Sequence, residues 1–319
     1  MTVSVVIAAY CGEKFIGEQI ASLLTQTLPP DEIVITDDSP DERTMAAVAN
    51  WLSDPRVRYF HNEKQLGVNG NFEKALSLAG GDIIFFCDQD DVWLPEKIAE
   101  MVAALENSPD ADGVFCNSTV VNSSLEPSGY SLWQMRGFTG KMQKKFASGS
   151  QAELFLKRVT CSTHNIAIRR RILDRVLPFP VLDPFFADTF LGLLLAAENK
   201  WVMLDRELTC YRVHGGNLSV PKLANIREQA ELSRKARQKN ALVRRVSLCE
   251  AVLERLPENI PADIRNKFAG YRKHYLVRSG YSANFFIRAA QITAEILSLR
   301  YSCYSNGWKS IAADLFLFR

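Results

Sequence analysis

The chain has 319 residues, a net charge of +2 and 47% hydrophobic residues, a composition that excludes a disordered or fibrous protein and fits one large domain with an appendage. Its seven cysteines are odd in number and form no CxxC pair, which argues against a disulfide framework or a zinc site and favours a reduced, cytosolic compartment. We expect no secretion signal, because no charged leader precedes an apolar segment at the start, and no run approaches the roughly 18 apolar residues of a membrane-spanning helix.

The first 120 residues alternate short apolar runs with segments of helical periodicity. Repeated strand–helix units of this kind predict an α/β fold with a doubly wound, mostly parallel sheet, whose ligands bind at the carboxyl ends of the strands. We expect Gly80 and Gly81 to end the third helix by reaching positive φ. The predicted strands cover 3–8, 32–36, 57–61, 82–87 and 113–117, and the predicted helices cover 14–27, 42–52, 71–79 and 95–106.

The pattern is lost from 118 to 150, a polar stretch with four glycines that reads as a long loop, either disordered or functional. Regularity then returns. Strands are predicted at 165–168, 201–204 and 208–211, and helices at 169–176 and 189–197.

The region beyond Pro221 reads as helical and differs in charge from the rest of the chain. Residues 1–221 carry 20 Lys and Arg against 28 Asp and Glu, a net charge of −8, whereas residues 222–319 carry 18 against 8, a net charge of +10. We therefore predict two regions, a main domain at 1–221 and a basic helical C-terminal region at 222–319. A basic region of this kind attracts either nucleic acid or an anionic membrane surface.

Three carboxylates follow the strand predicted at 82–87, in the segment Cys-Asp-Gln-Asp-Asp-Val-Trp at 87–93. Like charges this close repel one another unless a cation compensates them. Mg²⁺ is commonly held by one or two carboxylates together with substrate phosphates. Asp88 and Asp90 therefore predict a metal and nucleotide site at this strand end. The alternative is a turn in which Asp91 caps the helix predicted from Pro95.

A second carboxylate pair, Asp37 and Asp38, follows the strand predicted at 32–36. Because neighbouring parallel strands end at one edge of the sheet, we expect this pair to lie on the same rim as Asp88. Tyr10 ends the first strand at the same edge, where its ring can pack against a nucleotide base. The alternatives are a capping turn for the carboxylates and a half-buried loop aromatic for Tyr10.

The order and spacing of these motifs resemble family 2 glycosyltransferases with the GT-A fold, over roughly residues 2–218. The resemblance is carried by Val-Ser-Val-Val-Ile-Ala-Ala-Tyr at 3–10, Asp-Asp-Ser at 37–39, Leu-Gly-Val at 66–68 and Asp-Gln-Asp-Asp-Val-Trp at 88–93. The last segment is similar to the bacterial rhamnosyltransferase-like branch. The resemblance implies a GT-A-like fold and a metal-dependent, inverting transfer of a sugar to an acceptor hydroxyl.

The resemblance also implies the donor and its contacts. The donor is a nucleotide diphosphate sugar, UDP- or dTDP-linked, with dTDP-rhamnose as one candidate. Ala8, Tyr10 and Asp38 match the positions that hold the base and the ribose. Asp88 matches the first Asp of the Asp-x-Asp motif, near the ribose and the metal.

The metal and the catalytic base follow from the same resemblance. Asp90 matches the metal-binding second Asp, and the metal is Mn²⁺ or Mg²⁺. His214, in Tyr-Arg-Val-His-Gly-Gly-Asn at 211–217, matches a histidine that approaches the diphosphate and the metal. Asp188, in Phe-Ala-Asp-Thr-Phe at 186–190, matches the catalytic base. The alternatives are a hydrogen-bonded surface histidine for His214 and a helix N-cap for Asp188.

Two departures from the family pattern stand out. The family usually has Asn where Cys11 stands, and the branch usually has His-Asp-Trp-Trp where this chain reads Ala-Asp-Thr-Phe at 187–190. The second departure concerns donor and acceptor preference more than the chemistry.

Members of the branch build bacterial surface polysaccharides on carbohydrate or lipid-linked acceptors. We therefore expect a cytoplasmic protein that contacts the anionic inner face of the membrane and binds no nucleic acid. Two other classes remain open. A nucleotidyltransferase is disfavoured because the segment after the first strand is poor in glycine, and a nucleic-acid-binding protein because the basic region carries no recognised motif.

Overall fold

The computed structural model describes residues 1–182, 187–214 and 230–316, and the side chains of these residues except those of 230–239. Its central element is one mixed nine-stranded sheet with helices on both faces. The strands are β1 Val3–Ala9, β2 Glu32–Asp37, β3 Val57–His61, β4 Ile83–Cys87, β5 Val92–Trp93, β6 Gly113–Val121, β7 Pro127–Ser131, β8 Ile166–Arg169 and β9 Trp201–Arg212.

Helices connect the strands and form the C-terminal end of the described chain. Short 3₁₀ turns at Ala49–Trp51, Thr163–Asn165 and Arg170–Ile172 complete the connections. The α-helices are α1 Ile16–Leu24, α2 Arg43–Val48, α3 Gly67–Leu78, α4 Lys97–Glu106, α5 Leu132–Arg136, α6 Gly140–Ala147, α7 Gln151–Lys157, α8 Leu173–Val176, α9 Ala187–Ala197, α10 Ala230–Arg255, α11 Ala262–Ser279, α12 Phe285–Leu297, α13 Arg300–Tyr304 and α14 Trp308–Phe316.

The strand order is β3-β2-β1-β4-β8-β6-β9-β5, with β7 paired to β6. β1 to β4 are mutually parallel, and β6 is parallel to β9. β1 and β4 are apolar along almost their whole length because helices cover both faces of the sheet, so that Val6 and Phe86 enter one core cluster and Val5 and Phe85 the other. The predicted doubly wound α/β fold is confirmed.

The second half of the sheet is antiparallel where β8 lies between β4 and β6. The prediction of two strands at 201–204 and 208–211 is wrong, since β9 is one strand of 12 residues. Its register against β6 shifts on both sides of Asn117. Such irregularities let one strand continue through a polar stretch that interrupts the apolar pattern.

The expectation of a long loop at 118–150 is also wrong. β6 continues to Val121, and β7, α5 and α6 follow within this stretch. A few large side chains fix these short elements, because Trp133, Phe138 and Phe146 are buried around Phe115 of β6. These anchors are too widely spaced to produce a periodic sequence pattern.

Gly81 is needed for close packing and not for positive φ. Helix α3 ends at Leu78, and neither Gly80 nor Gly81 is among the residues of positive φ. A Cβ at Gly81 would lie 2.7 Å from the backbone nitrogen of Ser4, whereas at Gly80 the nearest atom is Glu32 Oε1 at 3.4 Å.

We therefore expect Gly81→Ala to lower the free energy of unfolding by about 2–3 kcal/mol, since β1 must shift to make room. Gly80→Ala is the matched control and should change it by less than about 1 kcal/mol. Chemical denaturation of both variants measures the difference. Equal stability of the two would contradict this packing.

The C-terminal helices are joined to the main domain by apolar packing. Val246 and Val252 of α10 and Phe268 of α11 belong to the same core cluster as Phe190 of α9. The guanidinium of Arg255 lies 5.2 Å from the Phe190 ring centroid. The predicted boundary at 221/222 lies outside the described residues. Within the described ranges, no helix combines the length and apolarity needed to cross a membrane.

Candidate functional site

Several strand ends and one helix start line a single cavity of about 470 Å³. It lies at the carboxyl ends of β1, β2 and β4, as expected for parallel strands of this fold. All of the predicted donor-binding residues reach it, and so do the predicted base and one predicted metal ligand. These are Ala8, Tyr10, Asp38, Asp88, Asp90 and Asp188.

Gln89 ties the segment at 88–91 to the end of β1. Its side chain accepts a hydrogen bond from the backbone N–H of Tyr10 and donates one to the carbonyl of Tyr10, each at 2.9 Å. The ring of Tyr10 is 48% exposed at the cavity, so it is free to pack against a ligand.

Asp90 pairs with the predicted metal ligand His214. The Nε2 of His214 lies 2.8 Å from Asp90 Oδ2, and the imidazole packs 4.8 Å from the ring of Phe15. Burial and the neighbouring Asp88 raise the pKa of Asp90, and His214 opposes that shift. His214 is not among the residues that line the cavity and adjoins it through its contact with Asp90.

Arg212 holds this segment against β9. It is 2% exposed, its Nε donates to the carbonyl of Asp90 at 2.8 Å and its Nη2 donates to Glu18 at 2.5 Å. Its backbone N–H donates to Asp91 Oδ1 at 2.9 Å. Asp91 thus accepts from β9, and the alternative reading of Asp91 as a cap of α4 is wrong.

His164, a residue to which the sequence motifs do not point, faces the carboxylates. It is 2% exposed and stacks on Tyr211 with ring centroids 4.6 Å apart. Its Nδ1 lies 3.6 Å from Asp88 Oδ2 and 3.9 Å from Asp91 Oδ2. Its Nε2 lies 3.1 Å from the hydroxyl of Ser118, and burial lowers its pKa.

Asp91 and Lys97 are fully buried beneath this segment. The Nζ of Lys97 donates to the carbonyl of His164 at 2.6 Å and to Thr209 Oγ1 at 2.8 Å. Burial raises the pKa of Asp91 well above its usual range, and its Oδ2 has no hydrogen-bond partner among the described residues. Lys97 therefore supports the backbone under the site and does not reach the cavity.

Asp38 lines the cavity, but protein groups already occupy its carboxylate. Asn62 donates to Asp38 Oδ1 at 2.6 Å, and the backbone N–H of Leu66 donates to both oxygens at 3.1 Å. Asp38 thereby orders the start of α3, beside the end of β1 where Ala8 lies. Its neighbour Asp37 accepts from Tyr59 and Ser39 and faces away from the cavity.

Asp188 lies in the first turn of α9 and lines the same cavity. Its Oδ1 accepts a hydrogen bond from the hydroxyl of Thr189 at 3.1 Å. Burial raises the pKa of Asp188, whereas the positive charge of Arg136 opposes that shift. A partly buried carboxylate with a raised pKa, open to the cavity, has the properties of a general base.

The backbone at Cys11 is left-handed, which explains why the family usually has Asn at this position. Its φ is +48°, and its N–H donates to Ser39 Oγ at 2.8 Å. Asn tolerates this conformation better than Cys does.

We expect Cys11→Asn to raise the free energy of unfolding by about 0.5–1 kcal/mol. Cys303→Asn is a suitable control, since Cys303 is also exposed but lies in helix α13. Thermal unfolding of both variants checks this. A gain at Cys303 as large as the gain at Cys11 would show that backbone conformation is not the cause.

The donor atoms at the cavity fit a hard divalent cation. Such ions prefer carboxylate oxygens, and Asp88 and Asp90 present theirs to the same space. A second arrangement is available deeper, where ligand atoms of Asp88, Asp91 and His164 lie within 4.8 Å of one another. Asp91 is 0% exposed and does not line the cavity, so phosphates entering the cavity reach Asp90 more readily than Asp91.

Comparisons with known proteins agree with this geometry. The model of Glycosyl transferase family 2 matches residues 4–177, more than half of the chain. The glucosyltransferase WfaP of Escherichia coli, named for UDP-Glc and α-D-GlcNAc-diphosphoundecaprenol, is 29% identical over 72% of this chain and 84% of its own. The uncharacterised glycosyltransferase alr2836 of Nostoc is 26% identical over 68% of this chain. The match spans 66% of the length of alr2836.

Two solved structures share the fold. One is mannosyltransferase PcManGT from Pyrobaculum calidifontis, in complex with GDP-Man and Mn²⁺. The match has a TM-score of 0.56 at 18% identity and covers 99% of this chain and 85% of PcManGT. TarS of S. aureus in complex with UDP-GlcNAc has a TM-score of 0.55 at 17% identity and covers 99% and 90%. The expected GT-A-like fold is thereby confirmed.

Proposed function

Since the chain belongs to glycosyl transferase family 2, we propose that it is a metal-dependent, inverting enzyme that moves a sugar from a nucleotide diphosphate donor to an acceptor hydroxyl. The observation that carries the proposal is the cavity in which Tyr10 of one strand end, Asp88 and Asp90 of another and Asp188 of α9 meet. In this proposal Tyr10 and Asp88 contact the nucleotide donor, and the carboxylate of Asp188 contacts the acceptor.

The donor lies with its base and ribose against Ala8, Tyr10 and Asp38. The exposed Tyr10 ring offers a stacking surface, and Asp88 lines the same cavity. Support for a uridine nucleotide comes from relatives, because WfaP is named for UDP-Glc and the TarS structure holds UDP-GlcNAc. A dTDP-sugar such as dTDP-rhamnose remains the second donor to assay.

Asp90 and His214 would hold the metal, Mn²⁺ or Mg²⁺. When bound, the cation would supply positive charge that stabilises the departing nucleoside diphosphate. The Mn²⁺ in the PcManGT complex and the donor atoms of Asp88 and Asp90 support this assignment. Arg212 fixes the carbonyl of Asp90, so the segment that carries the carboxylate is held rigidly.

Asp188 accepts the proton of the acceptor hydroxyl as the acceptor oxygen bonds to the anomeric carbon. The nucleoside diphosphate leaves from the opposite face, so one displacement inverts the configuration. The hydroxyl becomes acidic only as its oxygen forms that bond, so the carboxylate does not need a pKa near that of an alcohol.

The acceptor is a carbohydrate, free or lipid-linked, in the synthesis of bacterial surface polysaccharide. WfaP, named for a diphosphoundecaprenol-linked acceptor, supports a lipid-linked one. This acceptor places the protein in the cytoplasm, peripherally on the inner membrane face, without a nucleic-acid partner.

The C-terminal region offers a surface for that membrane contact. Residues 222–319 have a net charge of +10, and α12 to α14 with their connections expose large apolar side chains. Each Lys or Arg near an anionic surface contributes about 1 kcal/mol, so a handful suffices for peripheral binding. The exposed apolar residues are Phe285, Phe286, Ile287, Leu297, Leu299, Trp308 and Phe316.

We expect the chain to float with vesicles that contain 30% anionic lipid and to be released by salt. Replacing Phe286 and Trp308, which are 81% and 79% exposed, with Ser should reduce the bound fraction several-fold at unchanged stability. Leu276→Ser on α11, at a side chain 51% exposed, is the control. Point substitutions are preferable to truncating the chain at Pro221. The truncation would also remove Val246 and Val252 from the core of the main domain. Absence of wild-type flotation would contradict the membrane contact.

A thermal-shift screen of nucleoside diphosphates and their sugars, with and without Mn²⁺, tests the proposed function. A ligand that binds the folded state raises the melting temperature by mass action. We expect a metal-dependent shift with UDP or dTDP and their sugars and a smaller one with the metal alone. No metal-dependent shift with any nucleotide would overturn the proposal.

A further inference from the structure

A single cationic side chain faces the cavity on the side of Asp188. The described residues that line the cavity include four aspartates but only one Lys or Arg, which is Arg136. Diphosphate groups need positive partners, and Arg is suited to them because its planar guanidinium donates several hydrogen bonds in a fixed geometry. The proposed donor site and base assign no role to Arg136, so the positive charge of this residue needs an explanation of its own.

The fold holds Arg136 firmly in this place. Helix α5 begins with a capping box between Ser131 and Gln134 and ends at Gly137, whose φ is +69°. Within α5, the backbone N–H of Trp133 donates to Asn117 Oδ1 of β6 at 3.1 Å. Arg158 donates to the carbonyl of Arg136 at 2.6 Å. These contacts fix the backbone of Arg136, so its position does not depend on a bound ligand.

The guanidinium is only partly used by the protein. Its Nη1 donates to the carbonyls of Thr160 and Cys161 at 3.2 and 3.1 Å. Throughout the described part of the chain, Nε and Nη2 of Arg136 have no hydrogen-bond partner and no carboxylate lies within 4.0 Å. The side chain is partly exposed, so these remaining donors are available to a ligand.

Arg136 lies near the proposed base Asp188, close enough for its positive charge to act on that carboxylate. Cys161, whose carbonyl accepts from Arg136, places its Sγ 3.7 Å from the carbonyl of Asp188. A phosphate bound by Arg136 would thus belong to the molecule whose hydroxyl faces Asp188. Resting on the proposed function, we propose that Arg136 is a specificity-determining residue that binds a phosphate or diphosphate group of the acceptor.

Binding of butyl diphosphate to the full chain saturated with UDP and Mg²⁺ tests this assignment by calorimetry. Saturating UDP blocks the donor diphosphate position, so the probe reports on the acceptor side. We expect the wild type to bind butyl diphosphate and Arg136→Gln to bind it about 10- to 100-fold more weakly, the usual range for a charge-assisted hydrogen bond. Arg136→Lys, which keeps the charge, should recover part of the loss.

Lys141→Gln is the matched control, since Lys141 is an exposed cation of α6 that does not line the cavity. It should bind butyl diphosphate as the wild type does. An unchanged affinity in Arg136→Gln, or an equal loss in Lys141→Gln, would overturn the assignment. A parallel fall in UDP affinity in Arg136→Gln would assign Arg136 to the donor diphosphate instead. Failure of the wild type to bind UDP at all would overturn the proposed function itself.

Discussion

Asp188→Asn is expected to lower the rate of sugar transfer by roughly 10²–10⁴, the usual contribution of a positioned general base. The amide keeps the shape of the carboxylate and can still accept the hydrogen bond that Thr189 donates to Asp188 at 3.1 Å. Stability and UDP affinity should therefore change little. Steady-state kinetics with the donor and acceptor, together with UDP titration, separate the two effects.

The pH dependence of the wild-type transfer rate tests the role of Asp188 independently. Burial raises the pKa of Asp188, and a base must be deprotonated to act. The acid limb of the rate profile should then lie at a higher pH than an ordinary Asp would give. Asp110→Asn, at an exposed carboxylate outside the cavity, is the control and should leave turnover unchanged. If Asp188→Asn transfers sugar at nearly the wild-type rate, or if the variant unfolds, Asp188 is not the base. Its role is then only structural, in the first turn of α9.

Asp90→Ala is expected to weaken metal-dependent UDP binding by at least about 100-fold. Removing a residue that hydrogen-bonds to a metal ligand commonly lowers metal affinity 10–100-fold. Removing the ligand itself should lower the affinity further. The variant also removes the partner of His214, whose Nε2 lies 2.8 Å from Asp90 Oδ2. Calorimetric titration with UDP in the presence of Mn²⁺, and again with EDTA, measures the metal-dependent part.

Asp91→Asn distinguishes the two possible arrangements of metal ligands. Asp91 is fully buried, and its Oδ1 accepts from the backbone N–H of Arg212, a bond that an amide oxygen preserves. If the metal lies at Asp90, UDP affinity should remain within about threefold of the wild type. A loss in Asp91→Asn that matches the loss in Asp90→Ala would place the metal at Asp88, Asp91 and His164.

The strand ends that line the site follow directly from strong local patterns in the sequence. β4 is a wholly apolar strand, so the charged segment that follows it had to lie at a strand end. The expected position of Asp38 on the same rim as Asp88 followed in the same way from two neighbouring parallel strands. The structure places both residues at one cavity, together with Tyr10.

The parts that the sequence did not predict depend on contacts between distant segments. Strand β8 contributes only four residues, and three apolar residues followed by Arg169 do not encode its antiparallel direction between β4 and β6. His164 reaches Asp88 because of that placement. Arg136 lies in a stretch whose few buried aromatics, such as Trp133, carry no helical period. Asp188 was identified only through the family resemblance, since a carboxylate at a helix start is commonly a cap.

Anomalous diffraction from crystals grown with UDP and Mn²⁺ tests the central claim most directly. The account predicts a Mn²⁺ peak within coordination distance of Asp90 and of the diphosphate, with the uracil beside Tyr10 and Asp188 across the cavity from the phosphates. A Mn²⁺ peak bound between Asp91 and His164 without contact to the nucleotide, or a nucleotide outside the cavity, would contradict it.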